Sequence, residues 1–151
     1  MGGLFFEQFE IGKVFAHEIR RTVTEGDNVW FCGATYNPAP IHIDAEYCAT
    51  TEFGRPLINS IFTLGLVIGL SVQDTTFGTT IANLGMTEVT FPRPVFAGDT
   101  LRSRTTVMAA RESRSRHNAG IVTLLHEGTN QRDEIVCKCL RQALMQRRPG
   151  G

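Results

Sequence analysis

The chain has no surplus of either charge. Fifteen basic side chains face fifteen acidic ones in 151 residues, a formal net charge of zero. A nucleic-acid-binding module normally carries a basic excess, so the balance argues against one. C-x-x-C pairs are also missing. Cys32, Cys48, Cys137 and Cys139 have no metal-ligand spacing to one another or to the four histidines. They read as reduced, mostly buried thiols of a cytoplasmic protein, with no metal site. The apolar run from Ile58 to Leu70 is too short, and too interrupted by Gly65 and Gly69, to cross a membrane. Met1 to Phe6 lacks the basic and long apolar segments of a secretory signal. It also lacks the Ser or Thr of an N-myristoylation site. Repeats, low-complexity tracts and linkers are absent too. Residues 1–151 therefore read as one domain, long enough for a real core, with 146–151 as a frayed tail.

What is present reads in order as an anchor, a helix-rich first half and a strand-rich second half. Phe5, Phe6 and Phe9 suit an N-terminal anchor, and Val14 to Val23 alternates like a strand. Thr24, with Glu25 and Asp27 behind it, predicts the N-cap of a helix that carries Val29, Trp30 and Phe31 and ends near Tyr36. Pro38 and Pro40 forbid its continuation and predict an extended, stiffened loop bearing His42. Asp44 to Thr51 suits a short helix, with Asp44 as its cap. Leu57 to Val72 lacks a polar stripe, which predicts a helix buried nearly all round. Gly65 and Gly69 would offer a smooth side for close approach. After Gly78, four stretches read as strands: Thr80–Phe91, Thr100–Arg111, Ala119–Glu127 and Glu134–Met145. Turn clusters between them predict an antiparallel meander. The fold expected is α+β, a curved sheet wrapped round one helix: the hot-dog arrangement.

The segment Phe31-Cys32-Gly33-Ala34-Thr35-Tyr36-Asn37-Pro38-Ala39-Pro40-Ile41-His42-Ile43-Asp44 resembles the loop of the MaoC-like family of hot-dog acyl-CoA hydratases and dehydratases. That loop reads roughly F-A-x-x-T-G-D-x-N-P-[LI]-H-x-D. Aligned without a gap, the family's catalytic Asp falls on Asn37 and its catalytic His on His42. The small residue that starts the family's central helix falls on Ser60. Phe91 to Leu101 resembles the strand and turn before the family's last strands. The likeness runs from about Gly12 to Met145. A subgroup with N-P-x-P-[LI]-H resembles enzymes of small branched or dicarboxylic acyl-CoA thioesters, such as mesaconyl-CoA.

The resemblance implies a hydro-lyase that interconverts a 2-enoyl-CoA and an (R)-3-hydroxyacyl-CoA. Hydration needs a base for water, an acid for C2 and donors for the enolate oxygen. Imidazole titrates nearest neutrality, so His42 is the candidate for both proton transfers. Asn37 cannot take a proton and is expected to orient water. A backbone N–H at Ser60, at a helix start, is the candidate oxyanion donor. Asp44, Arg55, Asn59 and Arg93 are candidates for substrate or CoA contacts. No cofactor beyond the CoA of the substrate is expected, and no nucleic-acid or membrane partner. A homodimer or a dimer of dimers is expected, because a sheet this small leaves an edge to cover. Two other functions compete. A hot-dog thioesterase would need a carboxylate, for which Asp44 is the candidate. The missing Asp at position 37 would suit a non-catalytic acyl-CoA-binding subunit.

Overall fold

A computed structural model describes residues 2–150, so Met1 and Gly151, the outermost residues of the expected start and tail, lie outside it. The elements are β1 (Val14–Ala16), β2 (Arg21–Thr22), α1 (Glu25–Ala34), α2 (Pro40–Ile43), α3 (Ala45–Ala49), α4 (Ser60–Gly69), α5 (Val72–Thr75), β3 (Thr80–Thr90), β4 (Thr100–Glu112), β5 (Ala119–Thr129) and β6 (Ile135–Gln146).

The sheet is antiparallel with the order β1-β4-β5-β6-β3, and β2 also pairs with β4. The four late strands start and end close to where alternation places them, but they do not form a simple meander. Only β4, β5 and β6 do. β3 pairs with β6 at the far edge, so the link from Thr90 to Thr100 crosses from one side of the sheet to the other. That crossing lays Val95 against the start of α4, where the Ile58 N–H donates to the Val95 carbonyl at 2.9 Å. The expected first strand is also interrupted. Ala16 pairs with Arg104 and Arg21 with Leu101, so residues 17–20 stand opposite only two residues. The slack lets His17 turn inward, where it is buried.

α4 lies on the concave face but is not buried all round. Thr63 and Val67 are buried, while Ile61, Gly65 and Gly69 face out. The smooth spot is on the sheet instead. A Cβ built on Gly128 would sit 2.3 Å from Val67 Cγ2, whereas nothing lies within 4 Å of one on Gly65 or Gly69. The helix also ends short of Val72. The Ser71 hydroxyl donates to the Ile68 carbonyl at 2.6 Å, which is the acceptor that the Val72 N–H would otherwise use.

Two apolar clusters fill the core. One gathers Val23, Ile58, Val67, Val95, Leu101, Val136 and Cys137; the other gathers Phe9, Val107, Val122, Leu124, Ala143 and Met145. Phe6 packs over Gly120, as the anchor reading expects. The described part of the tail is tied down, because the Arg147 Nε donates to Glu7 Oε1 at 3.0 Å.

Between the two clusters runs a row of polar side chains. Arg141 Nε donates to His126 Nε2 at 3.1 Å, and His126 Nδ1 lies 3.0 Å from Thr105 Oγ1. Thr105 Oγ1 is 2.8 Å from His17 Nε2, and His17 Nδ1 is 2.7 Å from Asp74 Oδ2. A guanidinium only donates. Its proton makes His126 Nε2 an acceptor, so in the neutral ring Nδ1 donates to Thr105 Oγ1; at the far end a carboxylate only accepts, so His17 Nδ1 donates to Asp74. Burial first, and then the charges of Arg141 and His17, pull His126 from 6.5 down to about 3, so the row runs through a neutral imidazole.

Candidate active site

The site begins with one capped helix. Thr24 Oγ1 accepts from the Asp27 N–H, and Asp27 reaches back to the Thr24 N–H at 2.8 Å, a reciprocal cap. That fixes α1 and places Asn28 on its inner face. Asn28 is buried, and its amide joins three segments. Nδ2 donates to the His42 carbonyl at 2.8 Å and to the Leu57 carbonyl at 2.9 Å, while Oδ1 accepts from the Asn59 N–H at 2.8 Å. Sequence reading missed Asn28. The available signal was an amide inside an apolar helix, four residues before Cys32 and so on the same face.

His42 sits in a single helical turn and not on extended chain. Pro40 occupies the first position of that turn, where a missing N–H costs nothing. His42 Nδ1 lies 2.8 Å from the Leu57 carbonyl. A carbonyl only accepts, so Nδ1 carries a proton, and in the neutral ring Nε2 is left with its lone pair. The ring borders a cavity of about 320 Å³ lined by His42, Phe53, Ser60, Thr63, Arg93 and Val136, among others. α4 opens into the same space. Asn59 Oδ1 takes the Ile61 N–H at 2.9 Å. Among the described residues, no acceptor takes the N–H of Ser60.

The structure thus gathers His42, Ser60 and Arg93 round one cavity. Arg93 stands at its solvent side, with Nε on Glu134 Oε2 at 2.9 Å. The other candidates are placed elsewhere. Asn37 does not line this cavity, and its Oδ1 accepts from the Ala39 N–H at 3.1 Å, as in an Asx turn. Asp44 Oδ1 caps α3 by accepting from the Tyr47 N–H at 2.9 Å. Asn59 is the cap of α4. Arg55 lies over the Phe96 ring, 3.9 Å from its centroid, and borders a separate cavity with Glu25, Asn28 and Ala45.

Comparison with known proteins follows the same lines. The profile of the MaoC like domain matches residues 6–130, most of the chain. The chain belongs to the MaoC-like domain family. It is 30% identical over 146 residues to a mesaconyl-CoA hydratase of Cereibacter sphaeroides, covering 97% of this chain and 42% of that protein. It therefore spans less than half the length of that curated relative. Among solved structures, a MaoC-like dehydratase from Rhodospirillum rubrum is 31% identical with a TM-score of 0.84, covering 97% of this chain and 99% of that one. A Mycobacterium tuberculosis protein described as a double hot-dog fold is 26% identical with a TM-score of 0.88, covering 99% of this chain and 46% of that one. The MaoC-like chain thus has the α+β hot-dog fold, and α4 is the helix its sheet wraps. No helix among the described residues is long and apolar enough to cross a membrane.

Proposed function

We propose that this MaoC-like chain is an acyl-CoA hydratase/dehydratase acting between a 2-enoyl-CoA and an (R)-3-hydroxyacyl-CoA. The observation that carries the reading is His42. Its Nδ1 is committed to the Leu57 carbonyl, which leaves the lone pair on Nε2 of a ring that borders the same cavity as the first residue of α4. In the hydration direction, Nε2 takes a proton from water as the oxygen adds to C3. Electrons move onto the thioester oxygen, where the Ser60 N–H and the helix dipole stabilise them. The imidazolium then delivers its proton to C2, and the ring returns to its starting tautomer. In this reading the CoA arrives with the substrate, and no resident cofactor takes part.

A mostly apolar cavity of about 320 Å³ suits a short acyl group. The likeness to a mesaconyl-CoA hydratase supports a small branched or dicarboxylic one. Thioester hydrolysis is the weaker reading, because Asp44, the carboxylate it would use, is engaged as a helix cap. The reading also pairs two copies of the chain. The edge strand β3 carries no charge from Thr80 to Thr87 and exposes Leu84 and Met86, as a strand awaiting a partner does. Four buried free thiols suit a reducing cytoplasm.

The test is loss of enoyl-thioester absorbance with crotonyl-CoA and, separately, mesaconyl-CoA. The expected result is hydration that His42→Ala abolishes, with the faster substrate reporting the acyl preference. Full activity in His42→Ala would refute the mechanism. If neither substrate is hydrated by folded wild type, the thioesterase or binding-subunit readings take its place.

A further inference from the structure

Hydration needs a second polar group to hold the attacking water while His42 removes its proton. Asn37 is turned into its own loop, with its amide oxygen on the Ala39 N–H. Four side chains with polar groups line the cavity: His42, Ser60, Thr63 and Arg93. The Thr63 hydroxyl is sealed from solvent and has no partner, so water cannot reach it from the cavity. Arg93 is held outward by Glu134 and its side chain is 61% exposed. Ser60 remains. It is partly exposed, and its hydroxyl makes no hydrogen bond among the described residues. It is not needed for capping either, because Asn59 caps α4.

The geometry points to the Ser60 side chain as the group that positions the water. This role rests on the hydratase reading and adds a residue to it. Ser60 Oγ accepts the hydrogen of the water that His42 does not take. The water oxygen bonds to C3, the C2–C3 π pair moves toward C1, and the proton on Nε2 goes to C2. Ser60 Oγ is then left holding the new C3 hydroxyl. The fit is set by covalent spacing. N and Oγ of one serine are three bonds apart, and the two oxygens of a 3-hydroxythioester are four bonds apart. One residue can therefore address both oxygens of the product, with its N–H on the thioester oxygen and its hydroxyl on the C3 oxygen.

The experiment measures kcat and KM for crotonyl-CoA hydration in wild type, Ser60→Ala, Ser60→Thr and His42→Ala, with thermal melts of each. Ser60→Ala is expected to lower kcat about tenfold, the worth of one neutral hydrogen bond, with KM moving less than twofold. Ser60→Thr keeps the hydroxyl and should recover most of the rate. The pH profile of Ser60→Ala should match that of wild type, since His42 still carries the protons. Wild-type kcat in Ser60→Ala, beside an inactive His42→Ala, would overturn the role of Ser60 and leave the hydratase reading intact. A fall in kcat that Ser60→Thr does not recover would also overturn it, because bulk and helix context would then explain the loss. No hydration by folded wild type would overturn the hydratase reading, and the role of Ser60 with it.

Discussion

Asn28 shows how much a single amide can hold. It fastens the backbone of His42, the carbonyl that fixes the tautomer of His42, and the residue that caps α4. Replacing it by Ala leaves the His42 carbonyl and the Asn59 N–H without partners and takes one of two donors from the Leu57 carbonyl. Asn28→Ala is expected to lose about 2–4 kcal/mol of stability, read from urea midpoints. Its kcat should fall too, because the Leu57 carbonyl no longer has a fixed place. A variant as stable and active as wild type would show that water takes over these bonds. At this scale, sequence told unevenly. His42 was singled out by the resemblance of its loop, although the prolines beside it form a helical turn and not the extended chain they predicted. Asn28 was not, because its three partners lie 14 to 31 residues away. Asn37 and Asp44 carried the expected residue types, yet their oxygens answer to local N–H groups.

Between α4 and the sheet the controlling contact is Val67 on Gly128. Gly128→Ala would drive a methyl into the Val67 side chain and lift the helix. The expected cost is about 1–3 kcal/mol. Val67→Ala in that background should recover part of the loss, although alone it costs stability by opening a cavity. A double-mutant cycle checks this, and strict additivity would mean that the two do not touch. Elements were largely legible where local chemistry decides them. Thr24 and Asp44 cap the helices expected of them, and β4, β5 and β6 alternate over much of their length, whereas β3 does not. The neighbour of β3 was not legible. Alternation marks a strand but does not choose its partner, and here the crossing from Thr90 to Thr100 places β3 beside β6. The same crossing brings Phe91, Arg93, Pro94 and Val95 to the cavity, so the topology missed from sequence also builds one wall of the site.

Across the whole molecule, the polar row from Arg141 to Asp74 separates the two apolar clusters. His126 protonates near 6.5 when unfolded but is held at about 3 in the fold. Below about 6.5 the unfolded chain therefore gains a proton that the folded chain refuses. The stability contributed by neutral His126 is complete above that value and declines as pH falls toward 3, by about 1.4 kcal/mol per unit. Gln can accept from Arg141 and donate to Thr105 without titrating. Between pH 7 and pH 5, wild type should lose about 2 kcal/mol more than His126→Gln. Equal losses would place a charged His126 in the folded protein. The row has a further consequence, in how such a protein can change over generations. Its five residues come from α5, β4, β5, β6 and the slack after β1, and the bonds from Arg141 to His126 and from His126 to Thr105 have a fixed direction. A change that does not keep the donor and the acceptor of its position, as Gln does for His126, leaves a polar group at the next without its partner. Residues far apart in the chain must then be replaced as a set, like words in a sentence whose grammar agrees.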